Sequence, residues 1–488
     1  MDRTMPEWRR YLLVQPPAVL LKFATAMTGD KSVFSFFFNT ATLHSIHALF
    51  FADTILIDLI VYRTCTVTLK LNETECLILH NNNSSKEALR IDSMVQPYAS
   101  QIVMGTSFMN SIFPSLLMLF LGPWSDKYGR KPVMLSGCIS TSLTFVLLSV
   151  IANWDKVPWY ILLAYVPIVF FGGVNISMLA TTCYITDMTD DNERAWYFAC
   201  LDAVIFLGAL IGLLVGPVIF EACGYTGVFS VATAFCILAT LYTLFFTPET
   251  VHNESSDIRK VFDFALVKDL ISACIKKRDG FNRSLLWSCI ACLTIIFIAD
   301  QGYLAIGYLF ASARLGWTVE KYNAFLAAGV VIRVFGTIFG IKLMRECAGF
   351  PETIIAMISI TSAVARTLTR AFTWQPWHMY LSMLLGIFIN ISRPMIRVIL
   401  TKAVPIQDTG KVFSVARSME TLLPFAAASM YTFLYSHYMP PIYPLPVWFL
   451  SAAFEVITIV ILIYIQSRAI KRTTVSFTPL NEDDTLRS

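Results

Sequence analysis

Gly122-Pro123-Trp124-Ser125-Asp126-Lys127-Tyr128-Gly129-Arg130-Lys131-Pro132 is a short charged turn set between two long apolar runs. Its residue types suit a hinge between helices at a membrane surface. Gly122 and Gly129 allow close approach or a positive φ, Asp126 can cap or bind the next helix, and Arg130 and Lys131 stay in the aqueous phase. A generic charged hairpin would explain the charges but not the spacing of all these residues.

The rest of the chain fits that setting. Of 488 residues, 56% are hydrophobic and only 14% charged, with a mean hydropathy of +0.63, outside the range of a soluble domain of this length. A bilayer crossing takes about 20 mostly apolar residues. Such windows fall at 11–62, 98–121, 132–152, 158–186, 195–220, 226–247, 284–310, 321–344, 350–372, 377–401, 411–436 and 446–466. The expected fold is an all-α membrane protein with twelve transmembrane helices in two six-helix bundles.

The domains expected are an N-terminal bundle over 1–247, a cytosolic linker over 248–283, a C-terminal bundle over 284–466 and a cytosolic tail over 467–488. Within the linker, residues 261–275 are amphipathic and suit a helix lying along the membrane face, with a solvated linker as the alternative. The first window is too long for one crossing, so a piece near 29–52 is expected to be a surplus insert.

The formal net charge of +4 is too small to suggest a nucleic-acid partner. Its distribution matters more. Roughly 20 Lys and Arg fall in segments assigned to the cytosol and about eight in the outer ones, which places both termini inside. The outer loop 63–97 carries the sequons at Asn72, Asn82 and Asn83 and two cysteines, Cys65 and Cys76, so glycosylation and a disulfide within that loop are expected. No P-loop, HExxH or zinc-spaced Cys/His set occurs, so no enzyme activity, metal or cofactor is expected.

Ionisable side chains inside a bilayer cost several kcal/mol unless paired or hydrated, about 3 kcal/mol on insertion scales. The candidates are Lys22, Asp202, Asp300, Arg333, Arg393, Arg397, Arg417, Glu420 and Glu455. Arg393 and Arg397 lie one helical turn apart on one face and suit an anionic substrate; a structural salt bridge from Arg397 to Asp300 or Glu420 is the alternative. Pro394 between them is expected to bend the helix and free carbonyls toward a cavity. Asp202 in the fifth span and Glu420 in the eleventh are candidates for proton coupling, with Asp202 pinned to a basic residue as the competing possibility. Asn175 and Asp300 complete the candidate substrate contacts. Asp187, Asp190, Asp191, Glu193 and Arg194 form a second charged turn expected to gate against Arg130 and Lys131. Gly208, Gly212 and Gly216 put small residues on one face of the fifth span, a close-packing signal.

The pattern G-x-x-x-D-K-x-G-R-K at Gly122 to Lys131 resembles the signature of major facilitator superfamily transporters between their second and third helices. Ile396-Arg397, Thr401-Lys402-Ala403-Val404 and Gly410-Lys411-Val412-Phe413-Ser414 resemble the tenth-helix pattern of the proton-coupled folate transporter family, solute carrier family 46. Leu12-Leu13-Val14-Gln15-Pro16 and Tyr62-Arg63-Thr64-Cys65 resemble its first helix and glycosylated outer loop. By that resemblance Arg397 matches an arginine tied to substrate or proton coupling, Asp202 an acid needed for coupling, and Asp126 with Arg130 the hinge. The chain departs from the folate carrier at Gly173, where that carrier has an aspartate. It also lacks a histidine in the seventh span, where Asp300 and Gln301 stand. Gly316 replaces an outer-loop cysteine, so the resemblance implies a rewired disulfide, Cys65 with Cys76.

The resemblance implies a carrier of a small organic anion, such as a folate, cyclic dinucleotide, muropeptide or conjugate catabolite, moved with protons by alternating access. A pH-independent uniporter or exchanger and a non-transporting receptor are the alternatives. The partners expected are the anion, protons and the lipid bilayer, in the plasma or endolysosomal membrane; the sequence specifies no oligomeric state.

Overall fold

The computed structural model describes residues 52, 55–76, 86–154, 156–190, 193–251, 264–275, 283–315, 317, 319–404, 408–437 and 446–476. Among these residues the chain is helical, with no strand. The surplus at 29–52 lies outside the described residues save Ala52, as does most of the first span. Residues 55–63 are helical and run into a π-helical turn, Thr64–Thr68.

The N-terminal half continues with α1 (Lys86–Tyr128), α2 (Lys131–Ala152), α3 (Pro158–Met188), α4 (Arg194–Gly216) and α5 (Val218–Phe246). In the linker α6 (Phe264–Ile275) is the amphipathic helix. Its Leu270 is buried while Phe264 stays exposed, and it packs on α1 and α11. The C-terminal half comprises α7 (Arg283–Leu315), α8 (Val319–Lys342), α9 (Glu352–Ala371), α10 (Pro376–Lys402), α11 (Thr409–His437) and α12 (Pro446–Ser476). Among the described residues ten helices are long and apolar enough to cross a membrane. The remaining long helix, α11, packs between α1 and α7. Outward faces carry Leu214, Phe245, Phe246, Phe339, Leu384 and Ile463 exposed, an apolar surface that suits lipid rather than water.

The distribution of the core fixes how the halves meet. At the end bearing the 122–132 turn, one cluster runs across both halves, from Met118 and Trp124 through Ile176 and Phe198 to Ile396, Val412 and Phe413. At the opposite end the packing divides. One cluster, with Cys65, Cys76, Ile102, Phe145 and Phe229, belongs to the N-terminal half, and another, with Tyr303, Phe310, Trp317 and Trp448, to the C-terminal half. The bundle is therefore sealed at the turn end, and its two cores are separate at the disulfide end. Gly208, Gly212 and Gly216 are all buried along α4.

The bend expected at Pro394 lies just upstream of it, where a 3-10 turn, Ile389–Ile391, separates the two parts of α10. Two of the carbonyls at the break are bonded within the bundle. Ser359 Oγ of α9 donates to the Phe388 and Ile389 carbonyls at 2.7 and 3.1 Å and accepts from the Ser392 N–H at 2.9 Å. A buried break needs such partners because unpaired backbone groups are costly.

Candidate functional site

The turn between α1 and α2 holds only Gly129 and Arg130. Gly129 adopts φ 125°, a conformation that side chains disfavour, and this tight reversal turns Arg130 inward. Its guanidinium, 2% exposed, lies 2.6 Å from Asp126, 2.9 Å from Asp187 of α3 and 2.7 Å from Ser125 Oγ. Burial by itself pushes the Arg130 pKa down. Neighbouring Cys183, Asp126 and Asp187 push it up, and the net shift is upward, so the cation persists at any physiological pH. Glu249, just beyond α5, completes the knot by accepting from the Arg130 and Lys131 N–H groups at 2.7 and 3.1 Å. Lys131 thus enters the hinge through its backbone.

Asp126 also reaches across to the other half. Its two carboxylate oxygens accept from the Gly410 and Lys411 N–H groups, at 2.8 and 2.9 Å, where α11 begins. A carboxylate at a helix N-terminus satisfies orphan donors and meets the positive end of the dipole. Close approach makes this possible: a Cβ on Gly122 would overlap Ser414. Arg194 adds a second tie, donating to Thr401 Oγ1 of α10 at 3.1 Å and to the Thr189 carbonyl at 2.9 Å. Lys342 of α8 sits 4.9 Å from the Trp196 ring of α4.

Deeper in the bundle, Arg397 Nη1 lies 3.1 Å from Asp202 Oδ1. Both side chains are under 10% exposed, and they belong to opposite halves. The alternative partners for Arg397, Asp300 and Glu420, are engaged elsewhere: Glu420 pairs with Arg417 at 2.7 Å, one turn away on α11, and Asp300 bonds Arg393. The sequence pattern placed each acid on a helix face but could not choose among helices.

Asp300 bridges Arg393 to Arg366 of α9, the latter at 3.8 Å. Arg366 lies 3.7 Å from Glu455 of α12, which accepts from Thr367 Oγ1 at 2.9 Å. Sequence reasoning did not select Arg366 or Arg370. Their i,i+4 spacing inside an apolar span was the available signal. Nor did it select Glu249, a lone acid directly after the sixth span. Asn175 donates to the Asn110 carbonyl at 3.0 Å and so ties α3 to α1. Asn72 is exposed, whereas Asn82 and Asn83 lie outside the described residues. Cys65 and Cys76 are joined by a disulfide.

A charged hinge, a seal at one end and paired charges between two helical halves are the parts of a facilitator. The family model of the Major Facilitator Superfamily matches residues 80–472, and the chain belongs to that superfamily, whose members here are transporters rather than enzymes. Its relatives include the probable peptidoglycan muropeptide transporter SLC46 of Drosophila melanogaster, 26% identical over 79% of this chain and 77% of that protein. The proton-coupled folate transporter of Rattus norvegicus is 23% identical over 67% and 70% of the two chains. The lysosomal proton-coupled steroid conjugate and bile acid symporter SLC46A3 of Mus musculus is 26% identical over 75% and 79%. Among solved structures, the human organic anion transporter MFSD10 (TETRAN) superposes with a TM-score of 0.66 at 14% identity, covering 92% of this chain and all of that one. FucP in the outward conformation superposes at 0.60, with 13% identity over 88% and 99% of the chains.

Proposed function

We propose that this protein moves a small organic anion across a membrane by alternating access, coupled to downhill proton movement. The observation that carries the reading is the buried Asp202–Arg397 pair between the halves. While Asp202 is charged, Arg397 is neutralised. Adding a proton to Asp202 leaves a buried guanidinium without its partner, which is unfavourable by about 3–5 kcal/mol, and an anionic substrate group relieves that state. Proton and anion then enter as a neutral set. Arg417 and Glu420 on α11 face the same region and remain paired with each other.

The excess of Lys and Arg around the 122–132 turn supports placing the sealed end and both termini in the cytosol, so this conformation is outward-facing. The relatives' names specify a muropeptide, folate, and steroid conjugates and bile acids. All are or include organic acids, in keeping with an arginine at the site. One of these relatives is lysosomal by name, and the plasma or lysosomal membrane is the location proposed for this chain.

Uptake of these acids into proteoliposomes should rise as the outer pH is lowered, and Asp202→Asn should abolish that pH dependence. Flux indifferent to pH in the unaltered protein would reduce the reading to a uniporter or exchanger, and no flux across the whole panel would leave a receptor.

A further inference from the structure

The C-terminal half contains a small open-mouthed indentation lined by Tyr303, Gly329, Arg333, Arg366, Arg370 and Gly386 among others. Three guanidiniums at one indentation inside a bilayer need an explanation, since buried cations persist there only when paired or hydrated. Their pairing is incomplete. Arg366 shares Glu455 and Asp300, and Asp300 is also bound by Arg393. Arg370 is held by stacking 4.2 Å from the Tyr303 ring and by Ser382 Oγ at 3.1 Å, not by an acid. No ion pair to Arg333 or Arg370 occurs among the described residues. The Nε atoms of Arg333 and Arg366 are buried and hydrogen-bonded to no described residue. Arg333, Arg366, Arg370 and Arg393 therefore stand against Asp300 and Glu455, four positive charges to two negative.

Position adds to the charge argument. Along α10 the chain runs toward the sealed end, where Lys402 pairs with Glu352 at 2.8 Å, so Arg393 lies on the open side of Arg397. Arg370 is next to last in α9, farther still from the seal. The cations form a path from the open end to Arg397. At Gly386 a Cβ would come within 2.8 Å of the Arg366 stem, so the missing side chain makes room for that arginine.

We propose that the cavity at Arg333, Arg366 and Arg370 is a second anion site, taking a distal carboxylate, sulfate or phosphate of the same substrate whose first acidic group is met at Arg397. It rests on the anion-transport reading above and sharpens it: the substrate carries two acidic groups. Arg366 and Arg370 are the fixed walls, and Arg333 closes on the group with its unpartnered Nε. A planar guanidinium fork suits any of the three oxyanions.

The test compares a steroid monosulfate with the same steroid sulfate bearing a side-chain carboxylate, on the full chain and on Arg333→Gln. In proteoliposomes the dianion should be taken up with the lower KM, and Arg333→Gln should reduce the dianion-to-monoanion ratio of kcat/KM by roughly tenfold, the usual cost of one charge-assisted contact. In detergent the dianion should raise the melting temperature more than the monoanion, and the variant should lose that difference. The melting arm needs no flux, so a protein that transports neither compound sinks the transport reading while still reporting on the cavity. Equal stabilisation by both compounds, or a ratio unchanged in Arg333→Gln, overturns the proposal. So does stabilisation by inorganic sulfate alone that equals that of the dianion, because the site would then take a free ion.

Discussion

Replacing Asp126 with alanine separates the bonds that hold the seal from those that merely shape the turn. The Asp126–Arg130 pair and the Arg130–Asp187 bond lie within the N-terminal half and persist however the halves tilt. Of the bonds Asp126 makes, the two from the Gly410 and Lys411 N–H groups cross to α11. Hydrogen bonds to a charged group contribute about 1.5–3 kcal/mol each, and water takes over part of that when the end opens. A net loss of about 3 kcal/mol corresponds to a roughly 100-fold shift from sealed to open at this end. Asp126→Asn keeps one acceptor and should show about half that free-energy change. The assay is single-molecule energy transfer in nanodiscs between dyes at the turn ends of α2 and α10. A sealed fraction in Asp126→Ala equal to that of the unaltered protein would refute the assignment of these two bonds as the latch.

Gly122→Leu should act in the same direction by sterics alone, because its Cβ would overlap Ser414 and the Gly410 carbonyl; overpacking costs about 1–3 kcal/mol, and the same dyes should report fewer sealed molecules. Cys76→Ser opens an 11-residue separation closed by the disulfide. It should lower the melting temperature by removing about 2–3 kcal/mol, and reductant should lower the unaltered protein to the same value but not the variant.

What could be read from the chain follows from what local chemistry specifies. The 122–132 turn declared itself because every part of it is local: a left-handed glycine, an i,i+4 Asp126–Arg130 pair and flanking apolar runs. The linker helix was legible for the same reason, since amphipathic periodicity needs no partner. The Asp202–Arg397 pair spans 195 residues; each residue stood out as a charge in an apolar span, but helix rotation and tilt, set by packing, decide which charges meet. Arg366 and Arg370 carried a local signal, their i,i+4 spacing, but their partners were subject to the same limit, which also turned Pro394 from a source of free carbonyls into the neighbour of a break that Ser359 satisfies.

The two ends of the molecule divide the mechanism between them. Sealing the turn end is a matter of fixed contacts, since its core is continuous and its charges are matched within the protein. Sealing the disulfide end would bring two separate clusters together and dry the arginine cavity of the C-terminal half. Drying cations that outnumber their acids is strongly unfavourable, so under the proposed two-site binding an empty carrier would resist that step and one holding a dianion would not. Under the proposed coupling, Arg397 adds the proton to the same balance: with Asp202 neutral, one more uncompensated charge would have to be met before the end could close. On the proposed reading, coupling needs no long-range signal, because proton, anion and closure all act on charges that closure would dehydrate.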